Sequence, residues 1–125
     1  ISAQTQNSMT EVIPFKTIDG KIIVEATING EVADFVLDLS GHNALLPEAL
    51  KKLHINTEKR GTFSSYQDFV FKQVPVGKVY EMGTVAIGKN TFANDLPAFT
   101  LEDEPYLRKL GVMGVLVVLF SALLY

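Results

Sequence analysis

Two dipeptides, Asp19-Gly20 and Asn29-Gly30, stand ten residues apart, each between runs of β-branched and apolar residues. Asp-Gly and Asn-Gly tolerate the positive φ that two-residue hairpin turns demand, so this spacing predicts a meander of strands over 12–18, 21–28 and 31–38. A chain that opens this way is committed to antiparallel sheet, and its third strand ends on a carboxylate, Asp38. An ionised carboxyl at the end of the apolar run Phe35-Val36-Leu37 loses hydration unless it has a partner or a task. Asp38 is therefore the residue to explain.

Length and charge narrow the function classes. At 125 residues, 47% hydrophobic and 20% charged, the chain holds one domain with a modest core. A net charge of -3 with scattered Lys and Arg makes no basic face, which argues against a nucleic-acid partner. With no Cys there is no disulfide, zinc-finger or thiol chemistry. A cleaved signal peptide is one explanation of a start at Ile1 and implies a secreted or periplasmic setting; a boundary inside a longer chain is another.

Residues 1–11 are polar and aperiodic, a flexible arm or a strand that orders on meeting another chain, ahead of a single lobe over 12–125. Past Asp38, Pro47 at a first turn and an early Glu48 predict a short helix over 47–54 with Leu50 and Leu53 inward. Residues 62–75 carry Phe63, Tyr66, Phe69 and Phe71, which either line a cleft or pack an edge strand. Strands are expected over 76–82 and 83–88, and over 91–99, where Pro97 suggests an edge or a bulge. Glu102, Asp103 and Glu104 read as an exposed acidic loop rather than a metal site. The tail 115–125 is apolar on every side yet shorter than the ~20 residues of a membrane span. Cover from a second lobe or subunit is the expectation for it.

The stretch Val36-Leu37-Asp38, the polar turn after it and the apolar pair Leu45-Leu46 resemble the active-site strand of retropepsin-like aspartic proteases, which runs apolar-apolar-Asp-Thr/Ser-Gly-Ala before a turn and an apolar pair. Val112-Met113-Gly114 is similar to the apolar-apolar-Gly segment that such lobes pack beneath that strand. The resemblance covers about residues 12–114 and departs inside the motif. Leu39 stands where the family has Thr or Ser, Ser40 where it has Gly, and Gly41 where it usually has Ala. A second register lays Ser40-Gly41 on the Thr/Ser-Gly pair but puts Leu39 in the acid's place and Pro47 on an apolar position.

The resemblance implies an all-β fold, an acid-protease closed barrel of one lobe with one or two short helices. It implies Asp38 as the catalytic acid, Leu39, Ser40 and Gly41 as the motif around it, and residues 61–75 as a flap over extended peptide, with Phe63, Tyr66 and Phe69 touching substrate. No cofactor is implied, and no spacing of His42 or His54 with Asp or Glu forms a metal cage. Aspartic proteolysis uses two carboxylates sharing one proton. The sequence has no second Asp-Thr/Ser-Gly, so the partners implied are a peptide or protein substrate and a second copy or second lobe, and catalysis by a lone lobe is excluded. The alternative is an inactive protease-like domain used for peptide binding or assembly, with Asp38 accepting turn N–H groups. Serine hydrolysis through Ser40 and His42 is a weaker third reading, since no acid is placed to orient such a base.

Overall fold

The computed structural model describes residues 12–38, 42–58, 60–62, 65–67, 73–75, 78–89, 91–101 and 104–117. The expected arm 1–11, Leu39, Ser40, Gly41, Phe63, Phe69, Phe71 and the tail beyond Val117 lie outside the described residues. The opening meander forms β1 (Lys16–Ile18), β2 (Lys21–Ile28) and β3 (Glu31–Asp38). Both turns take positive φ at both central residues, 54° and 73° at Asp19-Gly20 and 52° and 86° at Asn29-Gly30. That twist matches the flanking strands and fixes the register Ile18↔Lys21 and Ile28↔Glu31. The first strand is shorter than expected, because Pro14 has no N–H to give a ladder.

The chain continues as β4 (Asn43–Leu45), α1 (Pro47–Lys52), β5 (Arg60–Thr62), β6 (Ser65–Gln67), β7 (Gln73–Pro75), β8 (Lys78–Glu81), β9 (Thr84–Ile87), β10 (Thr91–Asn94), β11 (Pro97–Thr100), α2 (Pro105–Leu110) and β12 (Gly114–Val117). The main sheet runs β10-β9-β2-β3-β12-β4-β11-β8-β5, with β1 on β2, while β6 and β7 pair apart from it. Strand β12 is parallel to β3 and antiparallel to β4. The C-terminal end of β3 and the N-terminal end of β4 therefore flank the C-terminal end of β12.

A closed barrel is not formed. The sheet is mixed and curls into an open half-barrel whose edges stand 8 Å apart, wider than the ~4.8 Å that strand pairing requires. The hairpin over residues 78–100 explains the shape. It bends where Gly83 and Asp95 take positive φ of 82° and 56°, and the bend is closed by Met82 N–H to Leu96 O at 2.9 Å and Asp95 N–H to Gly83 O at 2.8 Å. Its halves part there: β9 joins β2 and β11 joins β4, so among the described strands β10 and β5 stand at the ends of the sheet.

Central strands are buried on both faces. Val24, Phe35, Leu45 and Leu116 meet Ala49 and Leu53 of the α1 region, whereas Ile23, Val36, Ala44 and Val115 meet Leu107 and Leu110 of α2. Such strands read as unbroken apolar runs rather than alternating ones. Of the tail, residues 115–117 form β12, where Val115 and Leu116 pack within this chain's own core; the rest of it, on which cover by a second lobe or subunit was expected, lies outside the described residues. Two expectations change. Pro97 opens the interior strand β11, at the first position where a missing N–H is tolerated. Glu104 is buried at the start of α2 rather than exposed. Helix α2 itself has Pro105 at its first turn and Gly111 closing it at φ 78°, over residues to which the sequence reading gave no element beyond Pro105.

Helix α2 is pinned from both sides. Tyr106 O–H donates to Asp19 Oδ2 at 2.7 Å, which raises the tyrosine pKa. Arg108 grips Glu48 of α1 through Nε–Oε2 at 2.8 Å and Nη2–Oε1 at 2.9 Å. The guanidinium, with the residue's own backbone N–H, holds the Glu48 carboxyl down at about 2. A depressed carboxylate pKa contributes stability above its unfolded value of ~4.3 that is lost as pH falls through the folded one. Because both side chains are over 40% exposed, solvent screening limits the pair to roughly 0.5–1 kcal/mol. We expect Glu48→Gln to be that much less stable at neutral pH in urea unfolding, with the gap closing by pH ~2. A gap that persists in acid would assign the loss to packing.

Candidate functional site

The site is where the C-terminal ends of β3 and β12 meet the start of β4. Asp38 is the last residue of β3, half-buried, and opposite Val117 in the parallel ladder. Ala33 and Phe35 root the strand beneath it in the core, and Met113 N–H to Asp34 O at 2.9 Å ties the entry of β12 to the same strand. The carboxyl thus stands on strands covered by both helices rather than on a mobile loop. His42, just before β4, is exposed and sets its ring edge-on to Phe99 of β11, centroids 5.7 Å apart. The described residues hold no group of three or more His, Asp or Glu able to bind a metal.

Asn43 is the site residue that sequence reasoning missed. It is 5% exposed, its Nδ2 donates to Pro97 O at 3.1 Å, and its Oδ1 accepts from Val117 N–H at 2.8 Å. The available signal was an amide at the head of the apolar run Ala44-Leu45-Leu46, where a polar side chain must find partners inside the sheet.

Where a flap was expected, β6 and β7 pair as a two-stranded ribbon off the main sheet, with Tyr66 opposite Val74, and the ribbon's base is carried into the sheet by the β5–β8 pairing. The structure describes the backbone of Tyr66 in that ribbon; Phe63 and Phe69 lie outside the described residues. A polar pocket of about 170 Å³ lies elsewhere, lined by Asn29, His54, Asn56, Glu81, Met82, Gly83 and Asp95. It sits by the turn at the opposite end of β3, roughly 25 Å of strand away from Asp38.

No family model matches this sequence, and no curated protein matches it. Among solved structures, a retropepsin-like aspartic protease from Rickettsia conorii is similar over 90% of this chain and 76% of its own, with a TM-score of 0.60 and 18% identity. The likeness is one of fold. The chain is a β-rich domain structurally related to retropepsin-like proteases, and at this identity the relation carries no activity with it. Among the described residues no helix is long and apolar enough to cross a membrane.

Proposed function

We propose that this domain is one half of an aspartic endopeptidase-like site, in which Asp38 meets a second carboxylate from another copy of the chain or from a second lobe. The observation that carries the reading is the placement of Asp38 at the end of β3, beside the end of β12, in a domain related in fold to retropepsin-like proteases. Two carboxylates sharing a proton let one activate water while the other protonates the peptide carbonyl. Extended peptide would lie between Asp38 and the β6–β7 ribbon.

A second reading is favoured by the motif itself. Leu39 has no hydroxyl to bind across a dyad, and Ser40 puts a side chain where the family keeps Gly. On that reading the domain holds peptide or assembles with a partner without cutting. Cleavage of an unfolded protein from acidic to neutral pH, with the mass in solution recorded alongside, separates the two. Wild-type activity that falls at least ~100-fold in Asp38→Asn supports the endopeptidase. A folded dimer that cuts nothing at any pH supports the binding domain.

A further inference from the structure

Backbone pairing between β4 and β12 covers Gly114↔Leu45 and Val115↔Ala44. The pairing stops there, while on its other side β4 pairs with β11 along its whole length, Asn43 standing opposite Ala98. Beyond that point the Asn43 side chain makes the link. Its Oδ1 takes the Val117 N–H at 2.8 Å and its Nδ2 gives a hydrogen bond to Pro97 O at 3.1 Å, so one carboxamide ties β12 and β11 together. Val117 is also the register partner of Asp38 on its other side. From Asn43 through Val117 to Asp38 there is a single step of hydrogen bond and a single step of ladder.

We infer that Asn43 is a positioning residue for Asp38: its buried carboxamide holds the end of β12 at the level where β3 delivers the carboxyl. An amide suits the task because the place asks for an acceptor and a donor at once, facing opposite strands. Ala or Leu supplies neither and leaves the buried Val117 N–H and the part-buried Pro97 C=O without this partner. Loss of the tie frees the terminal residue of β12, and the carboxyl beside it then samples a different mixture of solvent and backbone dipoles. The consequence for catalysis rests on the proteolytic reading above; the coupling between Asn43 and Asp38 does not.

The test is an NMR titration of the full chain that follows the Asp38 carboxyl carbon, the Val117 amide and the Asn43 side-chain amide. In wild type the two amides are expected to shift with the midpoint of Asp38. In Asn43→Ala the Val117 amide is expected to exchange at least ~10-fold faster, while the Thr84 amide at the far end of the domain changes less than ~2-fold. The Asp38 midpoint moves by at least ~0.3 pH unit in the same variant. Amides that stay still while Asp38 titrates overturn the inference. So does an unmoved Asp38 midpoint once Val117 protection is gone, since Asn43 then only stabilises the sheet. Should Asn43→Ala fail to fold, the wild-type titration and Asn43→Ser decide the matter on the same criteria. A wild type that forms a folded dimer but cleaves nothing strikes the proteolytic reading and leaves the titration result standing.

Discussion

Gly114→Ala is expected to cost the domain about 3 kcal/mol or more, the upper end of what overpacking does, and to lower its melting temperature by roughly 10–15 °C. A Cβ at Gly114 would lie 2.1 Å from the Ala44 carbonyl oxygen and 3.1 Å from the Ala44 carbonyl carbon and Leu45 Cα. These are backbone atoms of β4, so no side-chain rotation relieves the contact. Moving β4 is also costly, because Leu46 N–H is bound to Met113 O at 2.9 Å and Leu101 N–H to Leu45 O at 2.9 Å. Gly111→Ala supplies the comparison. Gly111 has a φ of 78° but nothing within 4 Å of its absent Cβ, so its cost is conformational, about 1 kcal/mol. Equal melting temperatures for the two variants in one calorimetric series would refute the steric account of Gly114. A glycine demanded by close backbone approach also explains why Val112-Met113-Gly114 carried a resemblance at all.

The legible parts of the fold were those with local causes. Asp19-Gly20 and Asn29-Gly30 fix their turns through φ alone, and the alternation of buried Ala33 and Phe35 along β3 follows from the strand's period. What was not legible depends on what lies on the second face of the sheet. Val115, Leu116 and Val117 give the same apolar run whether the cover is a partner or two short helices on opposite faces, and only the topology decides between them. The open edges were hidden for a similar reason. Gly83 and Asp95 bend one long hairpin and send its halves to different neighbours, and nothing local in either half records which strand it will meet.

At the candidate site the sequence singles out Asp38 and passes over the buried amide beside it. Asp38 stands out because an apolar strand should not end in a carboxylate without reason. Asn43 does not stand out, because an amide just after Gly41-His42 looks like an ordinary turn residue until β11 and β12 close on either side of it. The same blindness applies to Asn29, legible as the first residue of a turn and silent about the three segments its side chain joins.

Asn29→Gly is expected to destabilise the domain by about 2–3 kcal/mol, which is what several unsatisfied, partly buried backbone groups cost together. The Asn29 Nδ2 donates to Leu53 O at 2.9 Å, Met82 O at 3.0 Å and, more weakly, His54 O at 3.3 Å. Its Oδ1 accepts from Thr84 N–H at 3.0 Å. One side chain thus joins the β2–β3 turn, the end of α1 and the bend of the long hairpin. Glycine keeps the φ of 52° comfortable and removes only the carboxamide, whereas Asn29→Ala should lose about 1 kcal/mol more through the left-handed backbone. Asn29→Asp separates geometry from charge. It keeps an acceptor for Thr84 but turns a second oxygen toward carbonyl oxygens, so burial beside those dipoles raises the new carboxyl's folded pKa above its unfolded value of ~3.9. A raised pKa means that the folded state binds the proton more tightly, so the deficit relative to wild type is largest at neutral pH and shrinks as pH falls through the folded pKa. Urea unfolding of both proteins across that range measures the difference directly. A deficit that stays constant with pH would mean that the carbonyls of Leu53 and Met82 have swung away, and that the three segments are held by packing rather than by the amide.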